Sequence, residues 1–152
     1  MNIRPVDKND IVDLKVVLDN CELFPSEYLE DMIEDYLENP DTEHIWFTVE
    51  LKKQLVSIAY CAPMTFTNGT YNLYAIGVHM DHQGKGIGKK MMQYLEQQLK
   101  TSGHRILIVE TSGTEALART REFYMKCGYR QEAVISDFWD EGDDKVVFWK
   151  KL

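Results

Sequence analysis

The sequence predicts an α/β fold in the element order βααβββαβαββ, held in a single domain over residues 1–152. Three observations predict it. Strand-like and helix-like runs alternate through the middle of the chain, while strands joined by short turns stand toward both ends. A glycine-rich stretch, Gln83-Gly84-Lys85-Gly86-Ile87-Gly88-Lys89, joins a strand-like run to a strongly periodic helix carrying Ile87, Met91, Leu95 and Leu99. A later helix runs into Gly128, a left-handed C′ position, and a strand starts at Tyr129.

Each element has a local reason. Ile3 to Val6 is a short first strand, and Asp7 can cap a helix whose apolar stripe is Ile11, Leu14, Leu18 and Cys21. Pro25-Ser26 starts a second helix with Leu29, Met32, Ile33, Tyr36 and Leu37 inward, and Asn39-Pro40 stops it. Ile45 to Leu51 and Leu55 to Ala62 are β-rich runs separated by Lys52-Lys53-Gln54, which reads as a hairpin. Asn68-Gly69 signals a turn before the Tyr71 to His79 strand. Beyond the glycine-loop helix, Arg105 to Glu110 is an apolar-centred strand suited to a sheet interior. A helix from about Thr114 to Cys127 follows. Strands Gln131 to Phe138 and Lys145 to Trp149 then flank a Glu-Gly-Asp-Asp turn.

Composition excludes several classes. A chain that is 44% hydrophobic over 152 residues supports one sizeable core. The net charge of −8 argues against a nucleic-acid partner. Cys21, Cys61 and Cys127 are an odd number without CxxC spacing, so neither a disulfide framework nor a zinc site is expected. The four histidines, His44, His79, His82 and His104, show no metal-ligand spacing, so no metal is expected. No apolar run approaches membrane-spanning length and the first residues lack an apolar leader core, so a soluble, cytoplasmic protein without a membrane partner is expected.

The glycine stretch carries the chemistry. A strand that breaks into glycines at a helix start crowds backbone N–H groups around an anion, and the helix dipole adds about half a positive charge. Lys85, Lys89 and Lys90 gather positive charge there in an otherwise acidic chain. A P-loop does not fit: the residue five before Gly88 is Gln83, and Lys90 follows Lys89 where Ser or Thr is needed. A dinucleotide fingerprint would place its third glycine on Lys89. What fits is Gln/Arg-x-x-Gly-x-Gly/Ala, read as Gln83, Gly86 and Gly88. That pattern resembles the acetyl-coenzyme A loop of the GNAT N-acetyltransferase superfamily. Downstream, Arg121 to Arg130 resembles the Phe-Tyr-x-Lys-x-Gly-Phe/Tyr segment of the same family. Together the likeness spans most of the chain from Leu55 to Leu152.

The resemblance implies a mixed sheet with helices on both faces and splayed central strands. It implies N-acetyl transfer from acetyl-coenzyme A to a primary amine, here expected on a small molecule. Coenzyme A would lie between Tyr71–His79 and Arg105–Glu110. Backbone groups of Ile76, Gly77 and Val78 would pair with the pantetheine arm, and an N–H near Val78 would serve the oxyanion. Gln83, Gly84, Lys85, Gly86, Ile87, Gly88 and Lys89 would hold the pyrophosphate, with a Cβ at Gly86 or Gly88 obstructing its approach. Tyr124 matches the family's general acid. The acidic residue that serves some members as base corresponds to Asn72, which leaves Glu110, His79 or a water chain, and the family's usual asparagine before the tyrosine is replaced by Leu117. The acceptor regions supply Phe24, Tyr28, Phe138 and Trp139, with Asp137, Asp140, Glu141, Asp143 and Asp144 as an acidic loop.

Other readings stay open at this point. A module that binds acyl-coenzyme A without turnover, acetylation of a protein or peptide amine, and a nucleotide-binding α/β domain using Glu110 as the ribose contact all use some of these features. A homodimer through a terminal strand carrying Phe148 and Trp149 is a further expectation.

Overall fold

A computed structural model describes Met1–Leu152. The elements run β1 (Asn2–Pro5), α1 (Ile11–Cys21), α2 (Leu29–Glu38), β2 (Ile45–Leu51), β3 (Gln54–Leu55), β4 (Ser57–Pro63), β5 (Thr70–Val78), α3 (Ile87–Thr101), β6 (Ile106–Ser112), α4 (Ala118–Lys126), β7 (Arg130–Asp140) and β8 (Asp143–Lys151). The strands form one mixed sheet ordered β1-β2-β4-β5-β6-β8-β7, with β3 paired to β2 off that path. The β5–β6 pair is parallel, and β1–β2, β2–β4, β6–β8 and β7–β8 are antiparallel. The expected α/β class and element order are borne out, with the two-residue β3 as the one addition.

That addition has a local cause. Lys52 and Lys53 both take positive φ (50° and 67°), closing a two-residue hairpin between the paired Leu51 and Gln54. Such a turn ordinarily uses Asn-Gly, which no residue here announces. The expected continuous strand Leu55–Ala62 breaks at Val56. Its N–H donates to the Val49 carbonyl (2.9 Å), its carbonyl accepts from the His79 N–H (2.8 Å), and Ser57 Oγ takes the Val49 N–H (2.8 Å).

By packing the chain divides into two compact units, residues 1–63 with 74–95, and residues 64–73 with 96–152. In the first, Leu14, Val17 and Leu18 of α1 and Leu29 and Ile33 of α2 pack with Val6, Trp46 and Ile58. The entry into α1 is fixed by charge. Asp7 accepts from the Asn9 N–H and caps a single helical turn, while the Asp10 carboxylate accepts from the Asp7 N–H at 2.7 Å. Arg4 closes on Asp10 through both nitrogens (2.7 and 2.9 Å) and also reaches Glu50. The guanidinium holds the Asp10 carboxyl below its ordinary value, although Asp10 is almost buried.

In the second unit, Thr70–Leu73 of β5 pair with Ile106–Val109, and Leu107, Val109, Val146 and Phe148 are buried. Gly69, at φ +78°, turns the chain before β5, and its carbonyl accepts from the Arg105 N–H at 2.8 Å. Gly128 ends α4 at φ +87°, as read from the sequence, with the Tyr129 N–H returning to the Tyr124 carbonyl. Glu96 ties the unit together by accepting from the Tyr129 hydroxyl (3.0 Å) and from Lys150 (2.8 Å). The expectation of an exposed terminal strand carrying Phe148 and Trp149 is corrected. β8 lies between β6 and β7, Phe148 is fully buried, and Arg130 covers the Trp149 ring at 4.3 Å. The exposed edge is β7.

Removing the Asp10 charge tests the Arg4 clasp. Asp10→Asn should lower unfolding free energy at pH 7 by about 1–3 kcal/mol, the size of hydrogen bonds to charged groups. A carboxyl held low stabilises above its unfolded pKa of about 3.9 and loses that contribution as pH falls further. The gap between wild type and variant should therefore close below about pH 4 in urea melts. A gap unchanged at acid pH would assign the loss to packing.

Candidate active site

The site begins where β5 ends. Ile76, Gly77 and Val78 are half-buried at its C-terminal end. Gly77 is required by packing: a Cβ there would meet Cys21 Sγ at 2.8 Å, at the end of α1, and Leu23 Cδ2 at 3.0 Å, just beyond it. The chain then makes one turn over Met80–His82 and returns on itself. The Gln83 amide donates to the Val78 carbonyl (2.9 Å), and Lys85 Nζ donates to the Asp81 carbonyl (2.7 Å). The Met80 N–H is held by Asn20 Oδ1 at 2.7 Å. These bonds fix the loop against the strand from which it departs.

Gly84 and Gly86 take φ of +71° and +78°, and a Cβ on either would meet no protein atom within 4 Å. Glycine is needed there for backbone conformation, since L side chains are strained in that region. Gly88 lies in the first turn of α3 and is not among the positive-φ glycines. Gly88 therefore has no left-handed conformation to require glycine, unlike Gly86. The first-turn N–H groups of α3 lack partners within the helix, and the dipole adds positive potential where exposed Lys85 and Lys89 also stand. Ile87 alone of the loop is buried and anchors the helix start.

A pocket of about 450 Å³ opens in the same unit, lined by Leu23, Phe24, Tyr28, Asp31, Met32, Tyr60, Tyr74 and Ala75. Phe24 and Tyr28 were legible from the sequence; Asp31, Tyr60 and Tyr74 were not. Tyr60 sits between rings, stacked on Trp46 at 4.3 Å and on Tyr74 at 5.4 Å. Its hydroxyl lies 3.3 Å from His44 Nδ1, and that nitrogen is 3.9 Å from Asp35. Burial, reinforced by Tyr74, pushes the Tyr60 phenol up. The signal that could have found Tyr74 is strand parity with Asn72, and for Asp31 the i, i+3 spacing from Tyr28.

His79 lines a different pocket of about 360 Å³, with Asp13, Gln54, Leu55 and His82 among its neighbours. Its Nδ1 accepts from the Asp81 N–H at 3.3 Å. No cluster of potential metal ligands is present.

The remaining expected residues belong to the second unit. Tyr124 is buried among Phe123, Tyr129 and Phe148, and burial pushes its phenol well above the ordinary tyrosine value. Glu110 pairs with Lys145 at 2.9 Å. Asn72 is buried with Oδ1 unpaired. Trp139 donates to the Thr111 carbonyl at 3.3 Å, and the Lys145 ammonium lies 4.1 Å from the Phe138 ring centroid. Three of the acids in the expected acceptor loop accept hydrogen bonds within their own hairpin, and Asp143 accepts one from Ser112 Oγ. Asp137 accepts from the Gly142 N–H, Asp144 from the Asp137 N–H, and Asp140 from the Glu141 N–H.

Known proteins place this arrangement. The profile described as the acetyltransferase (GNAT) family matches residues 14–129. A curated relative, an uncharacterized N-acetyltransferase of Methanocaldococcus jannaschii, is 25% identical over 84 residues, 55% of this chain and 53% of the relative. The chain thus spans about half the length of that relative. A crystal structure from Desulfovibrio desulfuricans, of a protein assigned to the GNAT family, superposes with TM-score 0.92 at 26% identity, covering 99% of this chain and 98% of that one. Two more distant structures share the fold. An aminoglycoside 6'-N-acetyltransferase complexed with coenzyme A gives TM-score 0.78 at 20% identity, covering 99% of this chain and 97% of its own. The ribosomal-protein-S18-alanine N-acetyltransferase of Escherichia coli gives 0.80 at 16%, covering 99% and 92%.

The two glycine types in the loop separate experimentally. Gly86→Ala should lower unfolding free energy by about 1–2 kcal/mol, the cost of a left-handed L residue. Gly88→Ala, in helical backbone, should leave stability unchanged or raise it by up to about 1 kcal/mol. Equal losses in denaturant melts would remove backbone conformation as the distinction.

Proposed function

Because the chain belongs to the acetyltransferase (GNAT) family, we propose that it transfers the acetyl group of acetyl-coenzyme A to the primary amine of a small molecule. The observation that carries this reading is that loop and pocket share one strand. Tyr74 and Ala75 of β5 wall the 450 Å³ pocket, and three residues further on Val78 is bonded to the glycine loop. A volume of that size suits a metabolite rather than a folded partner. One fold neighbour acts on an aminoglycoside and another on a ribosomal protein, so the pocket and not the fold argues for the small acceptor.

Acetyl-coenzyme A supplies the activated acyl carbon. Backbone N–H groups from Gly84 to Lys89 would hold its pyrophosphate, and the β5 backbone at Ile76–Val78 would align its pantetheine arm. In the reaction the neutral amine attacks the thioester carbonyl carbon, the carbon–sulfur bond breaks, and the thiolate requires a proton. We assign that proton to Tyr124, which burial keeps protonated throughout the neutral range. The amine must also lose a proton. Glu110 is engaged by Lys145 and His79 stands in the other pocket, which makes both poorer bases than a neutral imidazole reached from the pocket wall. We assign the route to Tyr60, whose hydroxyl passes a proton to His44 Nδ1, 3.3 Å away.

Free thiol release from acetyl-coenzyme A, assayed over amines and peptides at pH 7 to 9, tests the function. Turnover with small amines is expected. Cofactor binding by thermal shift without thiol release would leave a sensing module, and turnover confined to peptides would remove the small-molecule reading.

The proton assignments give two further expectations. Tyr124→Phe should lower kcat by roughly 10²-fold with little change in cofactor affinity, the size of one general acid. In the wild type, kcat/KM should rise with pH toward the amine pKa of about 10. Because the Tyr124 phenol is shifted up, no loss of that acid should appear below pH 10; an activity maximum near pH 8 would exclude it. His44→Gln should depress kcat/KM most at pH 7, by at least about tenfold, and the deficit should narrow as the amine deprotonates in solution. A deficit constant with pH would make His44 a packing residue.

A further inference from the structure

We infer that the acceptor is a compact diamine or polyamine, its reacting amine set toward β5 and a second cationic group held at Asp31 beside an aromatic ring. The inference rests on the acetyltransferase reading and adds the substrate class. Asp31 is the one charged residue in the lining of the pocket, the rest of which is aromatic or aliphatic. It forms no ion pair, whereas Glu30 beside it on α2 is paired with Lys15 at 2.9 Å. A lone carboxylate on an aromatic pocket wall is a cation-binding arrangement: the largely exposed Tyr28 offers a ring face, and Asp31 offers the counter-charge.

The reacting nitrogen is not the group Asp31 serves. That nitrogen must be neutral to attack, and a carboxylate beside an amine favours its protonated form. Asp31 belongs to the wall built by α2, while the thioester is proposed along β5, the wall built by Tyr74 and Ala75. A molecule with one cationic centre would satisfy only one end. A molecule with two satisfies both: its far ammonium stays charged at Asp31, and its near amine loses a proton toward Tyr60. The methylene chain between them lies against Phe24 and Met32.

Titration calorimetry with matched pairs, propylamine against 1,3-diaminopropane and butylamine against 1,4-diaminobutane, tests the inference without requiring turnover. Wild type should bind a diamine about five- to tenfold tighter than its monoamine, the scale of an exposed ion pair joined to a cation–π contact. In Asp31→Asn that ratio should fall toward one, in Asp31→Glu it should be partly kept, and in wild type it should shrink as salt is raised. Equal binding of monoamine and diamine by wild type would overturn the inference, as would a ratio preserved in Asp31→Asn. Thiol release is measured separately: preferential diamine binding without acetyl transfer to any amine would reject the acetyltransferase reading while leaving the Asp31 site in place.

Discussion

The hydrogen bond from the Gln83 amide to the Val78 carbonyl is the constraint on which the site depends. A strand that has reached its last residue must turn into a helix within nine residues, Val78 to Ile87, and place the helix start beside the strand end. Gln83 folds the chain back onto the strand, Lys85 locks the turn onto the Asp81 carbonyl, and Asn20 holds the Met80 N–H from α1. Only then do two left-handed glycines have a purpose, since they reverse the backbone twice without a side chain to accommodate. The result is a row of backbone donors whose direction is set by covalent geometry and a few short bonds. Fixed dipoles of this kind would need no reorganisation to take the phosphate proposed for them.

Charge is used differently in the two units. Several of the chain's acids are committed to partners. Asp10 is closed by Arg4, Glu96 by Lys150 and Tyr129, Glu110 by Lys145, and the hairpin aspartates by their own backbone. Near the glycine loop Lys85, Lys89 and the α3 dipole supply positive potential, opposed by the exposed Asp81 carboxylate. Asp31 is the contrast. It stays unpaired in a pocket otherwise without charge, so its influence there is undivided.

What was legible in the sequence was what neighbours in the chain decide. The Asp7 cap, the Asn39-Pro40 stop, the left-handed Gly128 and the Gln83–Lys89 loop are each fixed by residues within a few positions of one another, and all stand where they were read. The failures share the opposite cause. The ion pair of Glu110 was not legible because its partner lies 35 positions on; Glu110 faces Val147 across β6 and β8, which puts Lys145 diagonally opposite on the same face. Phe148 looked exposed because the order β6-β8-β7 cannot be read from β7 and β8 themselves. Tyr60, Tyr74 and Asp31 come from β4, β5 and α2 and meet only after the first unit has packed. At Lys52-Lys53 the hairpin was legible but its backbone was not: the pairing of Leu51 with Gln54 imposes left-handed conformation on two residues that do not prefer it.

Burial of Tyr124 bears on what kind of acid it can be. A phenol shifted upward is a weaker acid than the one assumed from an ordinary tyrosine, so full proton transfer to a thiolate of ordinary pKa about 8.5 runs further uphill. The same burial favours donation short of transfer. In a site of low dielectric, a neutral hydroxyl aimed at developing negative charge stabilises it more than it would in water. The packing of Tyr124 against Phe123, Tyr129 and Phe148 holds its ring in one orientation, which suits that role, since a fixed donor loses little entropy when charge develops. Tyr60 is placed otherwise. Its hydroxyl has an imidazole within reach and its ring stacks on two neighbours, which is the geometry behind the proposed proton route. The two tyrosines given proton roles in the proposal thus differ in environment: Tyr124 is fixed in an aromatic cluster, and Tyr60 stands beside His44, itself partly open to solvent.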